Sequence, residues 1–365
     1  MPSQLLRRIH RWIALTLGLH WALLALTGLV LLFHRDIEAA LLASGPAVAT
    51  YELSLDAVVE SLATQAPGHA VTRIGAHDEP LRSVKVWLRS PAGIVNPVWV
   101  DLASNRIVAG GEPGRWDAPR VFELVYQLHQ KLLLGRRGEV LVGVSGLFLL
   151  ATVVLGLISG WPRRGQWGKA LALRLRQGGR PALFGLHRAT GLLAAAFLAI
   201  TAVTGAGMVW NGALRGALQG LGATPAAPRV WSVVGGERMG ADEALKVART
   251  WFPGAAFSTI LLPQAPADPY EIRVLQPEEF RTIAGTTTLI VDAYSGRVLW
   301  INDAASASAA DRALDLLFPL HNGEVLGWPG RIVLAGVGLA FLGLIGAGLG
   351  SWLLRRRVSA RTRPA

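Results

Sequence analysis

Cysteine is absent from the 365 residues. That excludes disulfides, thiolate metal sites, iron–sulfur clusters and covalent haem attachment through a CxxCH motif. Charge is scarce: Asp, Glu, Lys and Arg make up 16% of the chain, against roughly 25% in an ordinary soluble protein. Negative charge is missing altogether from residues 1–35, 140–236 and 325–365. There is no nucleophile elbow, no HExxH pair and no P-loop, so the common hydrolase, metalloprotease and nucleotide-binding signatures are lacking.

What is there is apolar surface in long runs. Hydrophobic residues make up 52% of the chain. Four runs, at 12–33, 140–161, 189–214 and 332–354, hold no formal charge apart from His20. Each exceeds the roughly 20 residues a helix needs to cross the hydrocarbon of a bilayer. Three short basic runs, 1–12, 162–188 and 355–365, together hold 15 Lys and Arg and no acid. All 24 acids fall instead in 35–139 and 211–331, which they share with the other 21 basic residues. This is the positive-inside pattern. It predicts four spans, both termini in the cytoplasm and two large segments outside it. Trp12, Trp161, Trp210, Trp328 and Trp352 fall near the span ends, where an aromatic belt is expected. The basic charge faces lipid and sets orientation, so it does not argue for nucleic acid.

The chain reads as an internal duplication. A shift of 177 carries His10-Arg11 onto His187-Arg188 and Thr27-Gly28 onto Thr204-Gly205. A shift of 192 carries His129 onto His321, Gly135 onto Gly327 and Gly138 onto Gly330. The outer segments repeat too. Each has an apolar-periodic helix, a Pro-Gly step and alternating strands: 55–110 in the first, 240–300 in the second. The second ends Val291-Asp292-Ala293-Tyr294-Ser295-Gly296-Arg297-Val298.

That closing sequence after a Pro-Gly-bounded helix resembles a PepSY domain. The His-Arg-Trp opening of the first span, the two Thr-Gly steps and the Leu-His approaches to spans two and four resemble the PepSY-associated transmembrane family, which includes bacterial inner-membrane ferrisiderophore reductases of the FoxB type. The resemblance covers nearly the whole chain. It implies a membrane α+β fold: four transmembrane helices from an internal duplication, with two extracytoplasmic PepSY-like domains. The expected divisions are a first span to 34, an outer domain at 35–120, an interface helix and second span at 121–161, a cytoplasmic loop at 162–180, a third span at 181–214, an outer domain at 215–311, an interface segment and fourth span at 312–354, and a cytoplasmic tail at 355–365.

The repeat sorts the eight histidines. His10 pairs with His187 at the cytoplasmic ends of spans one and three; His129 pairs with His321 just before spans two and four. Repeats packed about a pseudo-twofold axis would bring each pair face to face, the arrangement for two b-type haems with bis-histidine ligation. The plainer alternative is interfacial hydrogen bonding of these rings to backbone or lipid phosphate. His20 and His34 have no counterparts. Fourteen residues apart on one helix, they would share a face and are secondary candidates for ligands. His69 and His77 read as surface residues. The expected function is an inner-membrane reductase passing electrons to ferric siderophore on the periplasmic side. Its donor is a quinol, a reduced flavin or a partner reductase. A haem-free PepSY binding or regulatory module, or an iron-chelate permease, are the alternatives; the nearly unbroken apolarity of the spans counts against the permease.

Overall fold

The computed structural model describes residues 2–42, 46–47, 53–77, 81–110, 117–173, 175–281 and 284–361. In chain order the elements are α1 (Pro2–Leu31), α2 (His34–Leu42), α3 (Leu55–Gln65), β1 (Ala70–Ala76), β2 (Ser83–Arg89), β3 (Val95–Asp101), β4 (Arg106–Ala109), α4 (Ala118–Lys131), α5 (Gly135–Gly160), α6 (Trp167–Leu171) and α7 (Gly179–Val209). They continue as α8 (Asn211–Leu218), α9 (Ala241–Trp251), β5 (Ala256–Leu261), β6 (Tyr270–Leu275), β7 (Thr287–Val291), β8 (Val298–Asn302), α10 (Ala309–Asp315), α11 (Leu317–Asn322) and α12 (Gly327–Arg361). The chain divides into two compact units: Met1–Leu32, Val125–Asn211 and Leu317–Ala365 form one, and Phe33–Leu124 and Gly212–Leu316 the other.

The first unit holds four helices long and apolar enough to cross a membrane: Gln4–Leu31, Gly135–Gly160, Gly179–Val209 and Glu324–Arg356. All four begin before the apolar runs read from the sequence. Helical hydrogen bonding continues through the flanking polar residues, so charge marks where the hydrocarbon ends and not where the helix begins. α7 packs along both α5 and α12, and α1 packs against the same two helices. Ala194 and Leu198 of α7 and Leu344 of α12 form a small buried core there. The turns entering α5 and α12 are sharp. Leu132 and Leu133 both take positive φ, as do Gly135, Gly323 and Gly327. A Cβ on Gly138 would lie 1.7 Å from the Lys131 carbonyl oxygen, and one on Gly330 would lie 2.2 Å from that of Gly323. Only glycine lets α4 and α11 end this close to the helices that follow.

The second unit is one eight-stranded antiparallel sheet in the order β4-β3-β2-β1-β5-β6-β7-β8. The two outer segments, expected as separate domains, are joined through β1 and β5, where Ile74 pairs with Ile260. Each four-stranded half alone would leave its first strand as an open edge, and pairing those edges closes both. The register then aligns one apolar row across seven strands: Val98, Val86, Ile74, Ile260, Ile272, Leu289 and Ile301. Leu55, Val58 and Leu62 of α3 and Ala244, Leu245 and Ala248 of α9 pack into the same core.

The two helices cap each other. Asp56 Oδ1 and Oδ2 accept from the Ala241 and Asp242 amides at 2.7 and 3.1 Å. Asp242 Oδ1 accepts from the Leu55 amide at 2.6 Å and its Oδ2 from the Ser54 hydroxyl at 2.7 Å. Each carboxylate satisfies orphan donors at the other helix's positive end, worth about 1 kcal/mol per cap. Gly240 must be glycine, because a Cβ there would sit 2.4 Å from Asp56 Oδ2.

Candidate functional site

The four paired histidines all lie in the membrane unit, and each comes to rest on a glycine of a different helix. At one end, His10 of α1 meets Gly156 of α5, and His187 of α7 meets Gly348 of α12; a Cβ at those glycines would stand 3.2 and 3.4 Å from the ring Cε1. His10 Nδ1–H donates to the Thr152 carbonyl at 2.9 Å, and His187 Nδ1–H donates to the Leu344 carbonyl at 3.0 Å. The ring centres of His10 and His187 are 6.2 Å apart, with planes at 82°.

At the other end, His129 of α4 meets Gly28 of α1, and His321 of α11 meets Gly205 of α7; a Cβ would stand 3.2 and 3.0 Å from Cε1. His129 Nδ1–H donates to Thr27 Oγ1 at 2.9 Å, and Thr27 passes its own proton to the Leu23 carbonyl. His321 Nδ1–H is shared between Thr204 Oγ1 and the Thr201 carbonyl, both at 3.1 Å. These ring centres are 6.3 Å apart, with planes at 60°.

A carbonyl oxygen can only accept, so the proton of His10, His187 and His321 sits on Nδ1 and leaves Nε2 with its lone pair. Thr27 puts His129 in the same state. No ring is closed off, since all four are half-buried. A neutral imidazole fixed through Nδ1 and open at Nε2 is the usual condition of a metal-ligating histidine. Two coaxial imidazoles, each about 2.0–2.1 Å from one metal through a nitrogen about 1.2 Å from its ring centre, put ring centres roughly 6.4 Å apart. Both pairs match that spacing. Among the described residues no group of three or more His, Asp or Glu could hold a metal. The donor set of each pair, two imidazoles bonded at Nδ1 and unbonded at Nε2, fits a group that brings its own metal and equatorial ligands, as haem does. The backbone bonding expected under the plainer reading is present, but it occupies only one nitrogen of each ring.

The secondary candidates separate. α1 ends at Leu31, and His34 opens α2 after a turn, so His20 and His34 do not share a helix face. His20 Nε2 lies 2.9 Å from Ser145 Oγ, and the His34 ring lies 6.1 Å from that of Phe122. His69 is exposed, as expected. His77 is not: it is 6% exposed, with Nε2 3.3 Å from the Glu38 carboxylate and its ring against Trp99. Burial pushes the Glu38 carboxyl up to about 8, only partly offset by Lys85 and Arg35. Burial, helped by Arg35 and Lys85, pulls His77 down to about 3. Both groups are uncharged at neutral pH, which spares the interior an isolated charge.

Sequence reasoning missed the glycine contacts. Thr27-Gly28 and Thr204-Gly205 stood out as matched steps, but neither as the support of a particular histidine. Gly156 escaped notice. The offset of 192 that relates His129 to His321 also relates Gly156 to Gly348 and Thr152 to Leu344; applied to every glycine, it was a signal that could have found them.

The family model described as the PepSY-associated TM region matches residues 7–355. No curated protein matches the chain.

Proposed function

The chain belongs to the PepSY-associated TM family, and on that premise we propose that it is a bacterial inner-membrane di-haem b reductase that delivers electrons to ferric siderophore on the periplasmic side, turning Fe3+ into Fe2+. The observation that carries this reading is the common state of four rings, each held at Nδ1 and unbonded at Nε2, with the ring centres of the two pairs 6.2 and 6.3 Å apart. In it His10 and His187 hold one haem, and His129 and His321 hold a second. Bound there, haem would supply reversible one-electron transfer. The chain's own residues do the rest. The Nδ1 hydrogen bonds fix ring orientation and raise the basicity of Nε2. The glycines allow each ring to lie against a helix backbone. The apolar spans keep water from the path.

An internal duplication accounts for the two equivalent sets of contacts and for the two halves of the sheet, each a PepSY-like domain. The charge bias of the basic runs supports both termini in the cytoplasm and the sheet unit in the periplasm. Reduction suits iron release because hard oxygen chelators hold ferric iron far better than ferrous iron.

The test is the visible spectrum of the detergent-purified protein, oxidised and dithionite-reduced, with pyridine haemochrome quantitation. The expected result is b-type bands at about two haems per chain. Protein expressed with adequate haem supply yet free of haem would overturn the reading.

A further inference from the structure

Halfway along the spans the two halves differ. His20-Trp21 stands where the offset of 177 finds Phe197-Leu198, and Ser145 stands where the offset of 192 finds Val337. The three polar residues form one local network. Ser145 Oγ–H donates to the Val142 carbonyl at 2.8 Å, and Trp21 Nε1–H donates to the Ser145 carbonyl at 3.3 Å. With its single proton committed, Ser145 Oγ accepts from His20 Nε2–H at 2.9 Å. His20 Nδ1 is left as a bare acceptor with no partner among the described residues.

The His20 ring is half-exposed where α1 packs on α5, beside Leu19, which is 85% exposed. Trp21 is buried, its ring 6.5 Å from that of Phe341. A rise of 1.5 Å per residue puts His20 about 15 Å along α1 from His10 and about 12 Å from Gly28, so it lies between the two histidine pairs. An unpaired acceptor in hydrocarbon costs several kcal/mol, and an ionisable residue within a span is a functional candidate by default.

Whatever satisfies Nδ1 at this depth must reach it from the bilayer and carry an O–H donor. A lipid-soluble aromatic diol meets both conditions. We propose that the half-exposed face of His20, where α1 packs on α5, is the binding site of a hydroquinone, the membrane-borne electron donor, with His20 Nδ1 accepting a hydrogen bond from one hydroxyl. The inference rests on the reductase reading. In the oxidation the hydroquinone loses two O–H protons and two electrons and becomes the quinone. The two haems of the reductase reading would take one electron each; His20 Nδ1 would take the two protons one at a time and pass each to the bulk solvent beyond the span. Ser145 holds the ring so that Nδ1 faces the diol, and acts as a positioning residue.

The test uses the full-length holoprotein in nanodiscs, with decylubiquinol as the probe and His20→Phe as the variant, since phenylalanine occupies the equivalent position at 197. Wild type is expected to show saturable haem reduction, slowed about 100-fold in His20→Phe, the scale of losing a general base. Decylubiquinone binding measured calorimetrically should weaken about tenfold, the equivalent of one lost hydrogen bond. Dithionite-reducible haem should be unchanged in the variant, as should the rate at which ferric chelate reoxidises the reduced protein. Reduction of His20→Phe by decylubiquinol at the wild-type rate would overturn the proposal while leaving the reductase reading intact. So would reduction of wild type by dihydroflavin but not by decylubiquinol. Haem-free protein would overturn the reductase reading instead, and the calorimetric comparison would still decide whether the His20 face binds the quinone.

Discussion

The two histidine pairs look alike in ring spacing but are built differently. The His10–His187 rings belong to spanning helices themselves, and their Nδ1 protons go to backbone carbonyls of α5 and α12. The His129–His321 rings belong to the short helices α4 and α11, and their Nδ1 protons go to threonine hydroxyls of α1 and α7, with one carbonyl in addition. Spans fix the first pair whatever the loops do. The second pair depends on the sharp turns at Gly138 and Gly330 and on hydroxyls that a single mutation can remove. A backbone carbonyl cannot be mutated away, so the second pair is the one whose properties evolution can adjust through side chains.

The largest expected effect separates the pairs outright. His10→Ala should lose one haem of two and leave the other reducible by dithionite, and His321→Ala should do the same for the other site. Pyridine haemochrome and low-temperature spectra of the two variants should therefore show complementary residual bands. Identical residual spectra would mean that the pairs are not independent sites. The next effect is graded by the glycine contacts. Gly205→Ala brings a Cβ to 3.0 Å from its histidine and Gly348→Ala to 3.4 Å. The first should cost about 1–3 kcal/mol of haem affinity through overpacking and the second much less; haem retention during dilution in detergent measures the order.

The histidine buried outside both pairs offers a control on burial alone. Folded Glu38 keeps a proton that the unfolded chain releases above its ordinary value of 4.5, so stability falls as pH rises toward 8. Folded His77 lacks a proton that the unfolded chain takes up below 6.5, so stability rises with pH between about 3 and 6.5. Between pH 6.5 and 8 only Glu38 acts, and the sheet unit should lose about 2 kcal/mol. Glu38→Gln should flatten that slope, measured by hydrogen exchange of the sheet unit. The smallest effect belongs to the hydroxyls. Thr204→Val leaves His321 with the Thr201 carbonyl alone. It should lower haem affinity at that site by about tenfold and shift its midpoint potential, with the His10–His187 site unchanged in a redox titration.

The spans were legible because hydrocarbon imposes length and charge exclusion on any helix that crosses it. The strands within 55–110 and 240–300 were legible from alternation, and β1–β4 lie in the first stretch and β5–β7 in the second. The joining of β1 to β5 was not, because edge pairing depends on a partner nearly 190 residues away and leaves no local pattern. His77 was misplaced for the same reason. Its burial comes from Glu38 and Trp99, neither of them near it in the chain.

By itself the sequence determined the class of the protein and its four long apolar runs, and it set the paired histidines at constant offsets, since hydropathy, charge sorting and spacing are properties of order along the chain. Only the tertiary structure decided that each of the four paired histidines rests on a glycine, that Nδ1 rather than Nε2 is bonded in them, and that His20 is left with a bare acceptor. Those outcomes depend on distances between helices, and distances between segments remote in sequence are set by packing.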